Sequence, residues 1–293
     1  MAKYTLAENI QRVKASLQER FDAGKQAMRD DFFGSKTDWS YFCYQGANTD
    51  ILSKLNYEDT SNGTNFSNMF AYANKITEIP EINTSKGTGF AHMFDNCEKL
   101  VTIPNVDTSN GTTFEYMFNN CRVAKEIPQI DTSGCNSKFD SMFNNCYEIT
   151  TIPQMDFSNG TSFASLFYGC TKLERLPKIK FGSGIINQAF AYCPALHTID
   201  EIDFTETGNN SQVFKNSKAL QTMNVVGTIK TTFDFSPCTL LTIESLRTIK
   251  NALEDYSNET LSWTPKLTIG SANIAKFSAE ELEEITQKGW LYQ

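Results

Sequence analysis

The sequence predicts an α/β repeat solenoid of 23–25-residue units, with an N-terminal amphipathic helix and an α+β C-terminal cap. Three observations carry this: a phenylalanine that recurs at a fixed period, apolar columns in register with it, and turn signals between units. The anchors are Phe70, Phe94, Phe118, Phe143, Phe167, Phe190 and Phe214. Four residues earlier stand Phe66, Phe90, Phe114, Phe139, Phe163 and Ile186. Three residues later stand Ala73, Cys97, Cys121, Cys146, Cys170, Cys193 and Ser217. Further aliphatic columns lie six, nine and twelve residues after the anchor, as at Leu100, Ile103 and Val106. A unit this short cannot bury its own apolar face, so neighbours must stack and turn the columns into internal ladders.

Within a unit, the Phe-x-x-Met-Phe-x-x-Cys spacing predicts one or two helical turns. The Ile-Pro-x-Ile segment that follows predicts a short extended rung of a parallel ladder. Proline there lacks an N–H, so the rung must be brief or irregular. Asp107-Thr-Ser-Asn-Gly and its counterparts at Asp59 and Asp156 predict a turn, with Asn and Gly supplying a positive-φ corner.

The ends read differently. Residues 5–31 predict one amphipathic helix, opened by a Thr5–Glu8 capping box. Leu6, Ile10, Val13, Leu17, Phe21, Met28 and Phe32 share its apolar stripe, which Gly24 interrupts. The stripe either covers the first unit or associates with copies of itself as a homo-oligomer, a trimer among the options. Residues 36–58 read as a degenerate first unit. Near the C-terminus Thr242 predicts a helix start, Leu267-Thr-Ile-Gly a strand, and Ser278 with Glu281 a second capping box. The division is therefore a helix over 1–35, a repeat region over 36–240 and a capping unit over 241–293.

Composition excludes several functions. A formal net charge of -8 lacks the basic footprint that phosphate backbones require, so no nucleic-acid partner is expected. No apolar run is long enough to span a bilayer, and no signal peptide is visible. With 2 histidines, multi-histidine metal sites are not expected, and neither is a cofactor.

The cysteine column, with Cys238 in a degenerate last unit, reads as small buried hydrophobes rather than disulfides or a metal site. Cys43 and Cys135 lie off the column and are expected to be the exposed thiols. Cys193 with His197 is a poor nucleophile pair, because the two belong to inward and outward positions; His92 follows the same logic. The recurrent Asp59, Asp107, Asp131, Asp156 and Asp203 could suggest a calcium ladder, but each opens a turn, and Asn83 and Lys180 replace it elsewhere. Asn-x-Ser/Thr sequons follow from the turn motif. No enzyme is expected, since no nucleophile, base and orienting group converge.

Positions that vary while the columns hold mark the outer face, where a binding surface competes with plain solvated polarity. Beside the rung they are Glu78, Glu81, Thr102, Asn105, Glu126, Gln129, Thr151, Gln154, Arg175, Lys178, Thr198 and Glu201. Beside the anchors they are Tyr72, Asn96, Asn120, Asn145, Tyr168 and Tyr192. Tyr and Asn make contacts at low entropic cost.

The units, Asp107 through Ile127 above all, resemble the BspA-like leucine-rich repeats of bacterial surface proteins over about residues 57–240. The N-terminal start and the Asn273-Ile-Ala-Lys…Lys288-Gly-Trp ending resemble repeat proteins of phage and prophage tail modules in gut Firmicutes. The resemblance implies a leucine-rich-repeat-like scaffold that recognises a bacterial surface protein or glycan. It also implies residence in a virion, as a phage tail receptor-binding protein held to other tail proteins through its N-terminal helix. A bacterial cell-surface adhesin and a purely structural spacer are the alternatives.

Overall fold

The computed structural model describes residues 11–12, 14–20, 22–23, 33, 35–46, 52, 57–208 and 210–293. Residues 14–20 are helical, and Leu17 is 59% exposed. The other stripe residues, the Thr5–Glu8 box and Gly24 lie outside the described residues.

From Asp38 onward, successive segments about one unit apart lie side by side, joined by isolated parallel bridges at Asp38, Asn65, Gly89 and Thr113 and again at Lys138, Ser162 and Ile185. The anchor rings stack face to face. Phe70–Phe94, Phe94–Phe118 and Phe118–Phe143 have centroids 5.6, 5.7 and 5.7 Å apart. Phe66, Phe90, Phe114, Phe139 and Phe163 form a second stack at 5.7–6.0 Å. Trp39 opens the second stack's row and Cys43 the first, since their N–H groups donate to Asn65 O and Met69 O as later members do. All these side chains are buried in one core.

The expected leucine-rich-repeat-like α/β solenoid is not the fold. Regular structure among the described residues is confined to two three-stranded parallel sheets and short helices, a mixed α/β arrangement. Strands β1 (Arg175–Lys180), β2 (Thr198–Asp203) and β3 (Thr222–Val226) form one sheet. Strands β4 (Phe233–Asp234), β5 (Lys266–Thr268) and β6 (Leu291–Tyr292) form the other. Two expected features failed for physical reasons.

The first is the helix in each unit. At Phe66–Ala73 the odd and even amides part company. Met69, Ala71 and Ala73 N–H groups donate three residues back, to Phe66, Asn68 and Phe70 O, closing tight turns. Asn68, Phe70 and Tyr72 N–H groups donate to Ala91, Met93 and Asp95 O of the next unit. A helix would send every N–H four residues back, so the repeated four-residue spacing belongs to a chain of turns.

The second is a strand in every unit. Pro80, Pro104, Pro128 and Pro153 stand where Asp200 and Asn224 stand in β2 and β3. Each proline removes an N–H that the ladder needs. The sheet therefore appears only where two successive rungs keep that donor, with Pro177 confined to β1 at the sheet's edge. Before it, side chains stand in: Gln129 Nε2 donates to Gln154 O at 3.1 Å, and Gln154 Nε2 to Lys178 O at 2.9 Å.

Other columns link units through hydrogen bonds. Buried Thr84, Thr108 and Thr132 donate their hydroxyls to Asp107, Asp131 and Asp156 O at 2.9, 2.9 and 2.6 Å. Phe157, Phe181 and Phe204 take over this column. Gly111 is not a positive-φ corner. Its φ is ordinary, and a Cβ there would stand 2.4 Å from Phe114 Cζ. Helix α1 (Ile243–Ala252) packs along β3 of the first sheet, where Ser245 and Thr248 hydroxyls accept from Met223 and Val225 N–H; α2 (Ser271–Ile274) follows β5, and α3 (Ala279–Gln287) packs against β6. Thr242 caps α1 through Ser245 N, and Ser278 and Glu281 form a full capping box on α3.

Candidate recognition face

The chain of turns needs a positive φ twice per unit, two residues before and two after the anchor. The first row is Tyr41, Asn68, His92, Tyr116, Ser141, Ser165, Gln188 and Gln212. The second is Gln45, Tyr72, Asn96, Asn120, Asn145, Gly169, Tyr192 and Asn216. Asn and Gly hold this conformation readily; Tyr costs roughly 1–2 kcal/mol there. No Lys, Arg, Asp or Glu occupies either row.

Side chains of the second row interact from unit to unit. Asn120 Nδ2 donates to Asn96 Oδ1 at 3.1 Å, and Asn145 Nδ2 to Asn120 Oδ1 at 3.2 Å. Gly169 ends this ladder, because a Cβ there would lie 2.4 Å from Asn145 Oδ1. Aromatics flank the amides. Tyr44 packs edge-on against Tyr41 and Tyr72, with centroids 5.3 and 5.6 Å away, and Tyr41 and Tyr72 are 57% and 45% exposed. At the other end Tyr168 and Tyr192 lie 5.0 Å apart.

Beneath this edge Asp95 is buried at 3% exposure. Its carboxylate accepts from Asn96 Nδ2 at 2.6 Å and Asn119 Nδ2 at 2.8 Å, and its Oδ2 lies 3.0 Å from His92 Nδ1. The His92 ring stacks on Tyr116 at 4.6 Å. The Asp95 charge pushes the nearby Tyr72 phenol up. A half-buried imidazole, an anion and planar amides are thus fixed under exposed tyrosines, a rigid arrangement for polar contact.

The rung-side candidates lie elsewhere. Glu78, Glu81, Thr102, Asn105, Glu126, Gln129, Thr151, Gln154, Arg175 and Lys178 are exposed, and Thr198 and Glu201 half-buried. Gln129, Gln154, Lys178 and Glu201 share an open groove of about 550 Å³. Thr102, Asn105 and Glu126 line another of about 430 Å³. Around the first groove their polar groups are spent internally: Gln129 and Gln154 donate to the next rung, Arg175 pairs with Asp200 at 2.8 Å and Lys178 with Glu201 at 3.4 Å. Among the anchor-side candidates, Tyr72, Asn96, Asn120, Asn145 and Tyr192 fall in one row. Tyr168 does not: Gly169 holds that place, and the tyrosine stands one residue earlier.

Residues 42–129 match a family described as a Mycoplasma protein of unknown function, DUF285. No curated protein and no solved structure matches the chain. The resemblance to BspA-like leucine-rich repeats and to phage-tail proteins is corrected on both counts. The family found is a different one, covering less than half the chain, and the backbone lacks the helix-and-strand unit which that resemblance implies.

The thiols have a role that spacing did not reveal. Cys97, Cys121, Cys146, Cys170 and Cys193 donate to the anchor carbonyls of Phe70, Phe94, Phe118, Phe143 and Phe167, at 3.0–3.3 Å. Ser217 does the same to Phe190 O. Cys43 and Cys135, expected to be exposed, are fully buried; Cys135 occupies the place of the turn glycine, donating its N–H to Thr132 O. Burial pushes Cys97, Cys146 and Cys193 up to about 12, so none is a thiolate at neutral pH. Exposed His197 bonds Thr198 Oγ1 rather than Cys193. Asp107, Asp131 and Asp156 accept from the N–H two residues on, at Ser109, Ser133 and Ser158. The hydroxyls of Ser109 and Ser133 hold Asp107 and Asp131 below the usual carboxylate range.

Proposed function

We propose that this chain is a non-enzymatic recognition protein that contacts a bacterial surface protein or glycan. The observation that carries this reading is the anchor-side edge. Two rows of eight positive-φ positions, free of Lys, Arg, Asp and Glu, stand on a backbone whose amides are tied within and between units. Four are tyrosines, where Asn or Gly would be cheaper, and strained positions that persist point to use rather than folding. The surface is preorganised, so binding loses little side-chain freedom. The high thiol pKa values and the separation of His197 from Cys193 support the non-enzymatic part. A net charge of -8 argues against a nucleic-acid partner.

The test is adhesion. Fluorescently labelled full-length protein is titrated onto isolated cell envelopes from Firmicutes and a mycoplasma. Saturable binding, weakened at least tenfold by Tyr72→Asn with Tyr192→Asn, is expected. Failure to adhere to any envelope overturns the reading.

A further inference from the structure

The two rows also constrain what kind of molecule the edge takes. We infer that it binds an uncharged polysaccharide chain lying along the stack, from the Tyr41–Tyr44–Tyr72 cluster to the Tyr168–Tyr192 pair. This rests on the recognition reading above and names its ligand class.

The chemistry excludes other occupants in turn. A peptide that adds as a strand needs free backbone donors and acceptors. Here the amides at Asn68, Phe70 and Tyr72, and at their counterparts in later units, are already committed to the next unit. An anionic polymer needs a run of cations; neither row contains Lys or Arg, His92 is bound to Asp95, and Lys215 stands over Tyr192 at one end only. A greasy helix needs an apolar groove, whereas the middle of this edge is an amide ladder. What remains complements a neutral sugar chain. Tyrosine faces stack on the C–H faces of sugar rings, while amide N–H and C=O groups meet hydroxyls that are both donors and acceptors.

The geometry is periodic in the right way. Tyr72, Asn96, Asn120, Asn145, Gly169 and Tyr192 succeed one another at roughly 4.8 Å per unit, so the row spans about 25 Å. One polar or aromatic group is offered per step, close to the length of one sugar in an extended chain. Gly169 interrupts the row, because Asn145 Oδ1 already fills the space a side chain there would need. Asp95, buried with its lone pairs taken by Asn96 and Asn119, orients those two amides without presenting its charge.

The experiment uses the full chain, with envelopes that have been either treated with protease or oxidised with periodate, and native gels containing mixed-linkage β-glucan, arabinoxylan, galactomannan or alginate. The expected result is adhesion that survives protease and is lost on periodate oxidation. Retardation by at least one neutral polysaccharide but not by alginate is expected with it. Asn120→Gly tests the amide ladder cleanly, because glycine keeps the positive φ: affinity should fall about tenfold with no loss of thermal stability. Lys178→Ala, on the other face, should change nothing. Adhesion destroyed by protease and indifferent to periodate would overturn the glycan inference while leaving recognition standing. No adhesion to any envelope would overturn recognition itself.

Discussion

The units before residue 175 and the rungs at 175–226 share one aromatic core but are held together differently. Both contain the anchor stack, whose spacing stays at 5.2–5.7 Å from Phe70 to Phe214. Beyond Arg175 the rungs pair as β1–β2–β3. Before it, buried threonine hydroxyls, glutamine amides and turn backbone supply the links. The difference teaches that periodic apolar packing specifies which residues meet, while the choice of hydrogen-bond donor decides whether a strand forms.

The largest effect should be indifferent to the difference. Phe118→Ala and Phe190→Ala remove equivalent rings from one stack, and each should cost about 3–5 kcal/mol in denaturant unfolding. A much smaller cost at either site would show that the two regions do not share a core. The next effect should separate them. Asp200→Pro deletes the β2 donor and should cost about 2–3 kcal/mol. The reverse change, Pro153→Asp, should stay within about 1 kcal/mol of the parent. Thr132→Val removes a buried hydroxyl that donates to Asp156 O and accepts from Asp156 N–H, and should cost about 1–3 kcal/mol.

The thiol column gives a pH signature across both regions. Folded Cys146 and Cys193 ionise at about 12, against 9.0 for an unburied thiol. Between those values the unfolded chain has released protons that the folded chain still holds. Stability should therefore fall as pH rises from about 9 towards 12, and be level in this respect below 9. Alkaline unfolding monitored by circular dichroism checks this. The smallest effect is Cys146→Ser, which should remain near neutral because Ser217 already makes the same bond.

Much of this arrangement is legible in the sequence, and the gaps have identifiable causes. The register of the anchors, the buried cysteine column and the caps at Thr242 and Ser278 follow from spacing and local chemistry. The turn chain does not, because Phe66 and Phe70 stand four apart, as residues on one helical face do. Only the positive φ at Asn68 and Tyr72 distinguishes the two, and Tyr72 gives no warning of it. The anchor carbonyl bonded by each cysteine is equally hidden, since a partner 27 residues away leaves no local pattern. Tyr168 stands beside its anchor in the sequence but outside the second row, because the unit around Gly169 places its tyrosine one residue early. The expected strand in every unit overlooked that a proline matters to the neighbouring rung as well as to its own.

The central claim is that the anchor-side turns are joined backbone to backbone from unit to unit throughout, whereas the rungs are so joined only in the sheet. Residue-resolved amide hydrogen exchange tests it most directly. Asn68, Phe70, Tyr72 and their counterparts from Phe94 to Phe190 should all exchange slowly, as should the amides of β2 and β3, while those at Val106 and Ile130 exchange fast. Uniform protection of every rung, or rapid exchange along the anchor-side edge, would contradict the account.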